Sequence, residues 1–332
     1  MARYGCTVTV AAGKIPSSQS NFSWLITEDN LPTAAIDGGA QSILNGGGNL
    51  RCYTDDTKAT QIAIEVVSFV TGGTPSIQVW GLSSTLAVAS TVYIEADTVA
   101  VAQPVVTDTY GRNAVWAEST HKQGGDGVTD VTGSTTISLN DATNTGTVNG
   151  FNAVLFPDQG NGGSSNTAYA SFDGTTGENW TGDMSLSVWV NSPALTQNYG
   201  QIIGIRATDW ELSFRCEGSQ PAMLIGTSSP NSTGNLTANT DQLLHVTVSG
   251  TAISFFLDGN PIGTATVSGS RVDRSDLLAF GGMAAAGSGT TFNGSIAEVR
   301  TINGTAITAN QITSEYNNQS DPVTFWTTGG WG

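Results

Sequence analysis

Three polar stretches in the second half of the chain set an aromatic ring beside an amide or a carboxylate. They are TTGENWTGD at 175–183, TQNYGQ at 196–201 and ATDWEL at 207–212. Sugar sites commonly stack an aromatic face on the apolar side of a pyranose while polar neighbours bind its hydroxyls. Asn179, Trp180, Tyr199, Asp209 and Trp210, with Asn198, are therefore the candidate glycan contacts. Core packing accounts for each Trp taken singly, and it is their common position in loops that points to a ligand.

Catalytic groups are sparse. The two histidines, His121 and His245, fall on different strands without HxxxH spacing, so a zinc site is not expected and His245 reads as a satisfied sandwich residue. No Ser–His–Asp or Cys–His arrangement stands at a nucleophile elbow. Glu211 and Glu217 flank the strand LSFRC but lie about 20 Å apart along it, against roughly 5–9.5 Å for a glycosidase pair. The expectation is a protein that is not an enzyme. Cys6, Cys52 and Cys216 have no CxxC spacing. A Cys6–Cys52 bridge and three buried thiols both stay open, with the thiols favoured.

These loops need a scaffold, and Leu243–Thr266 spells out part of it. Leu244, Val246 and Val248 alternate with His245, Thr247 and Ser249, and Ile253, Phe255 and Leu257 with Ser254, Phe256 and Asp258, while Gly250 and Asp258-Gly259-Asn260 supply the turns. This is a three-strand antiparallel meander, and its apolar face requires a second sheet. Across 332 residues, 41 glycines with only 11% charged side chains suit short strands joined by polar turns, so the chain reads as all-β with about two domains. A net charge of −16 with eleven Lys and Arg leaves no basic footprint for nucleic acid. No apolar run is long enough to span a membrane, and the N-terminus shows no export signal.

Two resemblances refine this. YGCTVTV, FSWLITEDNLP, GGNLRCYTDD, QIAIEVVSFV, SIQVWGLSS and STVYIEAD resemble, in order, a β-sandwich domain of unknown function found at the front of bacterial surface and phage proteins. From residue 113 on, NAVWAES, DVTGS, FNAVLFPDQG, MSLSVWV, QIIGIR, WELSF, the meander, LLAFGGM, FNGSIAEVR and NQITSEY resemble a laminin-G-like module of the concanavalin A-like jelly-roll superfamily. The implied architecture is an N-terminal β-sandwich over 1–112, a jelly roll over 113–318 and an aromatic tail over 319–332. The resemblance also implies two sheets of six or seven strands with a ligand at one rim or on the concave face. Because some such modules hold Ca²⁺ at a loop rim, Asp158, Asp173 and Asp183, with Glu178 and Asp209, become candidate metal ligands. The Glu-x-Asp-x-Glu strand of the superfamily's hydrolases is absent.

The tail carries Phe325, Trp326 and Trp331, which must dock on their own chain or on a partner. They are taken as candidate assembly contacts. The whole reads as a structural protein of a tailed phage virion, on capsid or tail, made in the host cytoplasm, displayed on the virion surface and able to bind a host glycan. Its expected partners are other virion proteins, with a homo-oligomer open. A bacterial surface adhesin is the alternative, and a glycan hydrolase of unusual layout is a third.

Overall fold

The structure, a computed structural model, describes residues 4–97, 99–100, 102–133, 135–157, 168–175, 178–195, 198–205, 212–225, 229–268, 277–282 and 291–332, the side chains of 198 and 199 excepted. The chain opens with β1 (Tyr4–Val10), β2 (Gln19–Thr27), α1 (Thr33–Ile36), β3 (Leu50–Tyr53), β4 (Gln61–Val70), β5 (Ser76–Leu86), β6 (Thr91–Ala96) and α2 (Arg112–Val115). There follow β7 (His121–Lys122), β8 (Ile137–Asn140), β9 (Thr143–Val148), β10 (Phe151–Phe156), β11 (Tyr169–Phe172), β12 (Met184–Asn191) and β13 (Asn198–Ile205). Then come β14 (Leu212–Glu217), β15 (Gln220–Ile225), β16 (Gln242–Ser249), β17 (Ala252–Leu257), β18 (Asn260–Thr266), β19 (Leu278–Phe280) and β20 (Gly294–Asn303). The chain closes with α3 (Ala309–Ser320), α4 (Pro322–Phe325) and β21 (Trp326–Thr328).

Two compact units result, one of residues 1–118 with 310–332 and the other of 119–309. The division differs from the one expected at residue 112, for a packing reason. Trp116 stacks edge-on against Trp80 at 5.2 Å and donates its indole N–H to Glu65 at 2.7 Å, which holds the segment after α2 on the first unit. The last fourteen residues likewise do not stand apart from that unit.

In the first unit the strand order is β2-β5-β4-β3-β6-β1-β21, and β21 runs antiparallel to β1 with Val10 opposite Trp326. Phe325 and Trp326 are 0% and 3% exposed, part of one core with Val8, Phe22, Trp24, Ile64 and Ile94. Trp331 packs against that core and donates to the Gln41 carbonyl. The three aromatic residues expected as assembly contacts are thus spent on their own sandwich, because burying them there removes a large apolar area from water. Asn318 in α3 covers the edge strand β2: its side chain accepts from the Leu25 N–H at 2.6 Å and donates to the Leu25 carbonyl at 3.1 Å. The side-chain amide thereby stands in for a neighbouring strand on an otherwise open edge.

Both connections to the second unit leave from the start of β2, where Asn21 donates to Glu118 and Asn310 donates to Ser17. Gly5 and Gly332, which exchange backbone hydrogen bonds, sit at the opposite end of β1.

The second unit is two antiparallel sheets around one core. Its eight-stranded sheet runs β18-β17-β16-β12-β20-β10-β9 with β7 on β20, and its six-stranded sheet runs β15-β14-β13-β19-β11-β8. The meander is β16, β17 and β18, and the tight turn at Asp258-Gly259 takes φ of 50° and 73°, which glycine adopts without penalty. Met184, Leu186, Val188, Phe214, Leu244, Val246, Phe255 and Phe280 fill the space between the sheets.

Candidate functional site

On the six-stranded sheet, alternation sends Ile137, Phe172, Phe214, Cys216, Met223 and Phe280 inward, so the residues between them face outward. The register lines up Ser138, Ser171, Ala279, Gly204, Ser213 and Leu224 as one row across all six strands. Small side chains make this row low. A methyl at Gly204 would collide with the Leu212 carbonyl and the Gln201 side chain, so the row cannot rise there. Its middle is closed to solvent, with Ser171, Gln201 and Ser213 all buried.

A cluster of polar groups reaches solvent at the corner where β14 turns into β15. Arg215 and Glu217, two residues apart on β14, point to the same face and pair at 2.5 Å, with side chains 7% and 24% exposed. Arg215 also donates to Ser229 at 2.7 Å, and Asn231 donates to the second Glu217 oxygen at 3.0 Å. Ser229 and Asn231 are exposed. The corner therefore offers one carboxylate, one amide and one hydroxyl to solvent, fixed by a buried guanidinium. Such a set binds hydroxyl groups. Among the described residues the other carboxylate of this face, Asp173, lies three strands away, toward the opposite ends of the strands, about 24 Å from Glu217 by strand spacings. That exceeds by far the roughly 5–9.5 Å at which paired carboxylates cleave glycosides.

Of the expected contacts, Asn179 and Trp180 lie away from this corner. Asn179 is exposed, and its side chain accepts from both the backbone and the hydroxyl of Thr181. Trp180 is 5% exposed and belongs to the core between the sheets, so its ring is no stacking platform. Tyr199 lies on β13, beside Glu217 through the Asn198 pairing, but its side chain lies outside the described residues, as do Asp209 and Trp210 altogether. The ends of β13 at Asn198 and Ile205 are about 23 Å apart, so Tyr199 and the segment following Ile205 begin at opposite ends of one strand.

Of the expected calcium ligands, the described Asp173 and Asp183 lie on different sheets. Asp158 lies outside the described residues. Asp173 accepts from Thr136 at 2.9 Å and Ser138 at 2.6 Å on the six-stranded sheet. Asp183 caps the β16–β17 turn on the other sheet, accepting from Ser249 and from the Gly250 N–H. Both carboxylates are taken up by hydroxyl and amide donors. Among the described residues no group of three His, Cys, Asp or Glu side chains is placed to hold a metal ion.

Sequence reasoning passed over a second polar cluster. His121, 1% exposed, lies between Asp130 on Nδ1 and Glu178 on Nε2, each at 2.8 Å, with Phe172 against the ring. Burial of the ring opposes its charge, yet the bonds to Asp130 and Glu178 prevail and push its pKa up to about 9. Asp130, despite its own burial, is held below the ordinary carboxylate range by His121, Thr132 and the Lys122 N–H. Next along the chain, Lys122 forms a buried ion pair with Glu298 at 2.5 Å. Gln123 exchanges hydrogen bonds with Val299 and binds the Gly127 carbonyl. The run HKQ thus anchors the first strand of this unit to β20. The signal was available only as three polar residues in succession, which reads as a loop.

The family model agrees with the architecture of the second unit. Residues 161–313 match the family model of the concanavalin A-like lectin/glucanases superfamily, a laminin-G-like jelly-roll module, in keeping with the two sheets of the second unit. No curated protein matches the chain. Among solved structures, a Trypanosoma rangeli sialidase bound to a difluoro sugar is 16% identical with a TM-score of 0.48, covering 61% of this chain and 33% of its own. Domain 4 of AbnA, an extracellular arabinanase of Geobacillus stearothermophilus, in complex with arabinotriose, is 16% identical with a TM-score of 0.46, covering 60% of this chain and 98% of that domain. The binding domain of botulinum neurotoxin serotype G is 15% identical with a TM-score of 0.45, covering 60% and 50%. This chain thus spans about a third of the sialidase.

Proposed function

We propose that the protein binds a glycan through its jelly-roll unit and does not cleave it. The observation that carries this reading is the corner of Arg215, Glu217, Ser229 and Asn231, in which hydrogen-bonding groups are prearranged at the edge of a sheet face. The superfamily match supports it, since that family takes in lectins as well as glucanases. The non-catalytic part is supported by the distance between Glu217 and Asp173, the outward carboxylates among the described residues of this face. A glycan array probed with the full chain is expected to return defined sugars. Replacing Glu217 and Asn231 together by Ala is expected to weaken that binding by about tenfold, near the ~1.4 kcal/mol of a lost hydrogen bond.

We propose further that the chain is a structural protein of a tailed phage virion, displayed on capsid or tail, with the jelly roll facing a host surface. The resemblance of its first 112 residues to sandwich domains at the front of phage and bacterial surface proteins supports this placement. Mass spectrometry of purified virions is expected to find the chain in many copies. Recovery from the bacterial surface alone would favour the alternative, an adhesin.

A further inference from the structure

We infer that the glycan held at the β14–β15 corner is uncharged, and that polyanionic sugars are rejected. The inference rests on the glycan-binding reading and adds the class of ligand. Recognition of a sulfate or uronate needs a cation whose charge is not already matched. Arg215 is the cation of this corner, and it is 6% exposed, paired with Glu217 and bonded to Ser229.

The same holds elsewhere in the unit. Among its described residues the other Lys and Arg are Lys122, paired with Glu298, and Arg300, which donates to Ser119, and both are buried. Arg206, Arg271 and Arg274 lie outside the described residues. Carboxylates, by contrast, reach solvent at Asp126, Asp141 and Asp241. With 27 acidic against 11 basic side chains in the chain, the long-range field repels a polyanion before contact. At the corner itself the solvent-facing groups are a carboxylate oxygen, an amide and a hydroxyl, which suit hydroxyl and acetamido groups.

The test is an array that pairs each neutral oligosaccharide with its sulfated or uronate counterpart, read at about 0.05 M and about 0.5 M NaCl. At about 0.05 M NaCl neutral members are expected to bind at least about tenfold more tightly than their charged counterparts, and at about 0.5 M their own binding is expected to change little while the ratio narrows as salt screens the repulsion. Glu217→Gln, which leaves the Arg215 charge unmatched, is expected to narrow that ratio by strengthening binding of the charged members. Tighter binding of charged members to the unaltered chain, lost at high salt, would overturn the inference and leave glycan binding standing. So would an unchanged ratio in Glu217→Gln. Failure of every member to bind would overturn the glycan-binding reading and this inference with it.

Discussion

A histidine ring enclosed by two carboxylates makes a definite statement about pH. His121 has a folded pKa of about 9 against an ordinary value near 6.5, so folding is linked to holding its proton. The raised pKa means that its stabilisation is complete below about pH 6.5 and is lost as pH rises through about 9. The shift corresponds to roughly 3 kcal/mol. The urea midpoint of the second unit is expected to fall between pH 6.5 and 9, and His121→Gln is expected to remove that slope. The thiols make a second statement. Cys6 and Cys52 lie opposite Ile94 from either side of β6, two strand spacings or about 9.6 Å apart, whereas bridged cysteines usually have Cα atoms within about 7 Å. All three cysteines are free and buried, and burial pushes the thiols of Cys6 and Cys216 up to about 12 and that of Cys52 higher still. Iodoacetamide at about pH 8 is expected to leave the folded protein unmodified and, after unfolding without reductant, to add three groups by mass. A disulfide would leave one. The open choice between bridge and thiols in the sequence could be closed only by register, which places Ile94 between the two residues.

Elements were legible where a local rule fixes them. The meander Gln242–Thr266 follows from period-two alternation and an Asp-Gly turn, and the strands of the first sandwich follow from the same alternation between glycine-rich breakers. The candidate glycan loops were less legible because loop composition does not tell which way a ring points. Trp180 turned inward, since a ring of that size gains more from the core between the sheets than from water. The edge protection of β2 was invisible too, for nothing near Leu25 in sequence announces Asn318. That contact makes a sharp prediction. Asn318→Ala leaves the Leu25 N–H without its partner, at a cost of about 1–3 kcal/mol, while the Leu25 carbonyl still accepts from the Trp326 indole N–H at 2.9 Å. Trp326→Ala removes a ring that lies edge-on to Trp24 at 5.9 Å, at about 3–5 kcal/mol. Both are expected to lower the melting temperature of the first unit, followed by tryptophan fluorescence, and to leave the His121-dependent transition of the second unit in place.

For the whole molecule, the jelly roll is an insertion in the sandwich. No pattern within a window of sequence encodes a strand that returns more than three hundred residues later, so a tail on its own was the natural reading of the last fourteen residues. The returning segment supplies Phe325 and Trp326 to the core, β21 to the sheet and Asn318 to the β2 edge. A chain ended after residue 309 is therefore expected to lose the first unit's cooperative transition while residues 119–309 stay folded. The converse excision should succeed. The second unit closes its own base, since Thr120 and Gln123 bond to Thr301 and Val299 and β7 pairs with β20. The two cut ends in the first unit, Glu118 and Asn310, are held by Asn21 and Ser17, four residues apart and so within about 14 Å of each other's anchors. A Gly/Ser linker of about eight residues has a root-mean-square span near 16 Å and can join them without strain. Residues 1–118 so joined to 310–332 are expected to melt in a single transition near that of the first unit in the full chain. Residues 119–309 expressed alone are expected to keep the fall in stability between pH 6.5 and 9 that His121 imposes. If the joined sandwich failed to fold while the full chain folded normally, the first unit would depend on its insert for more than continuity of the chain.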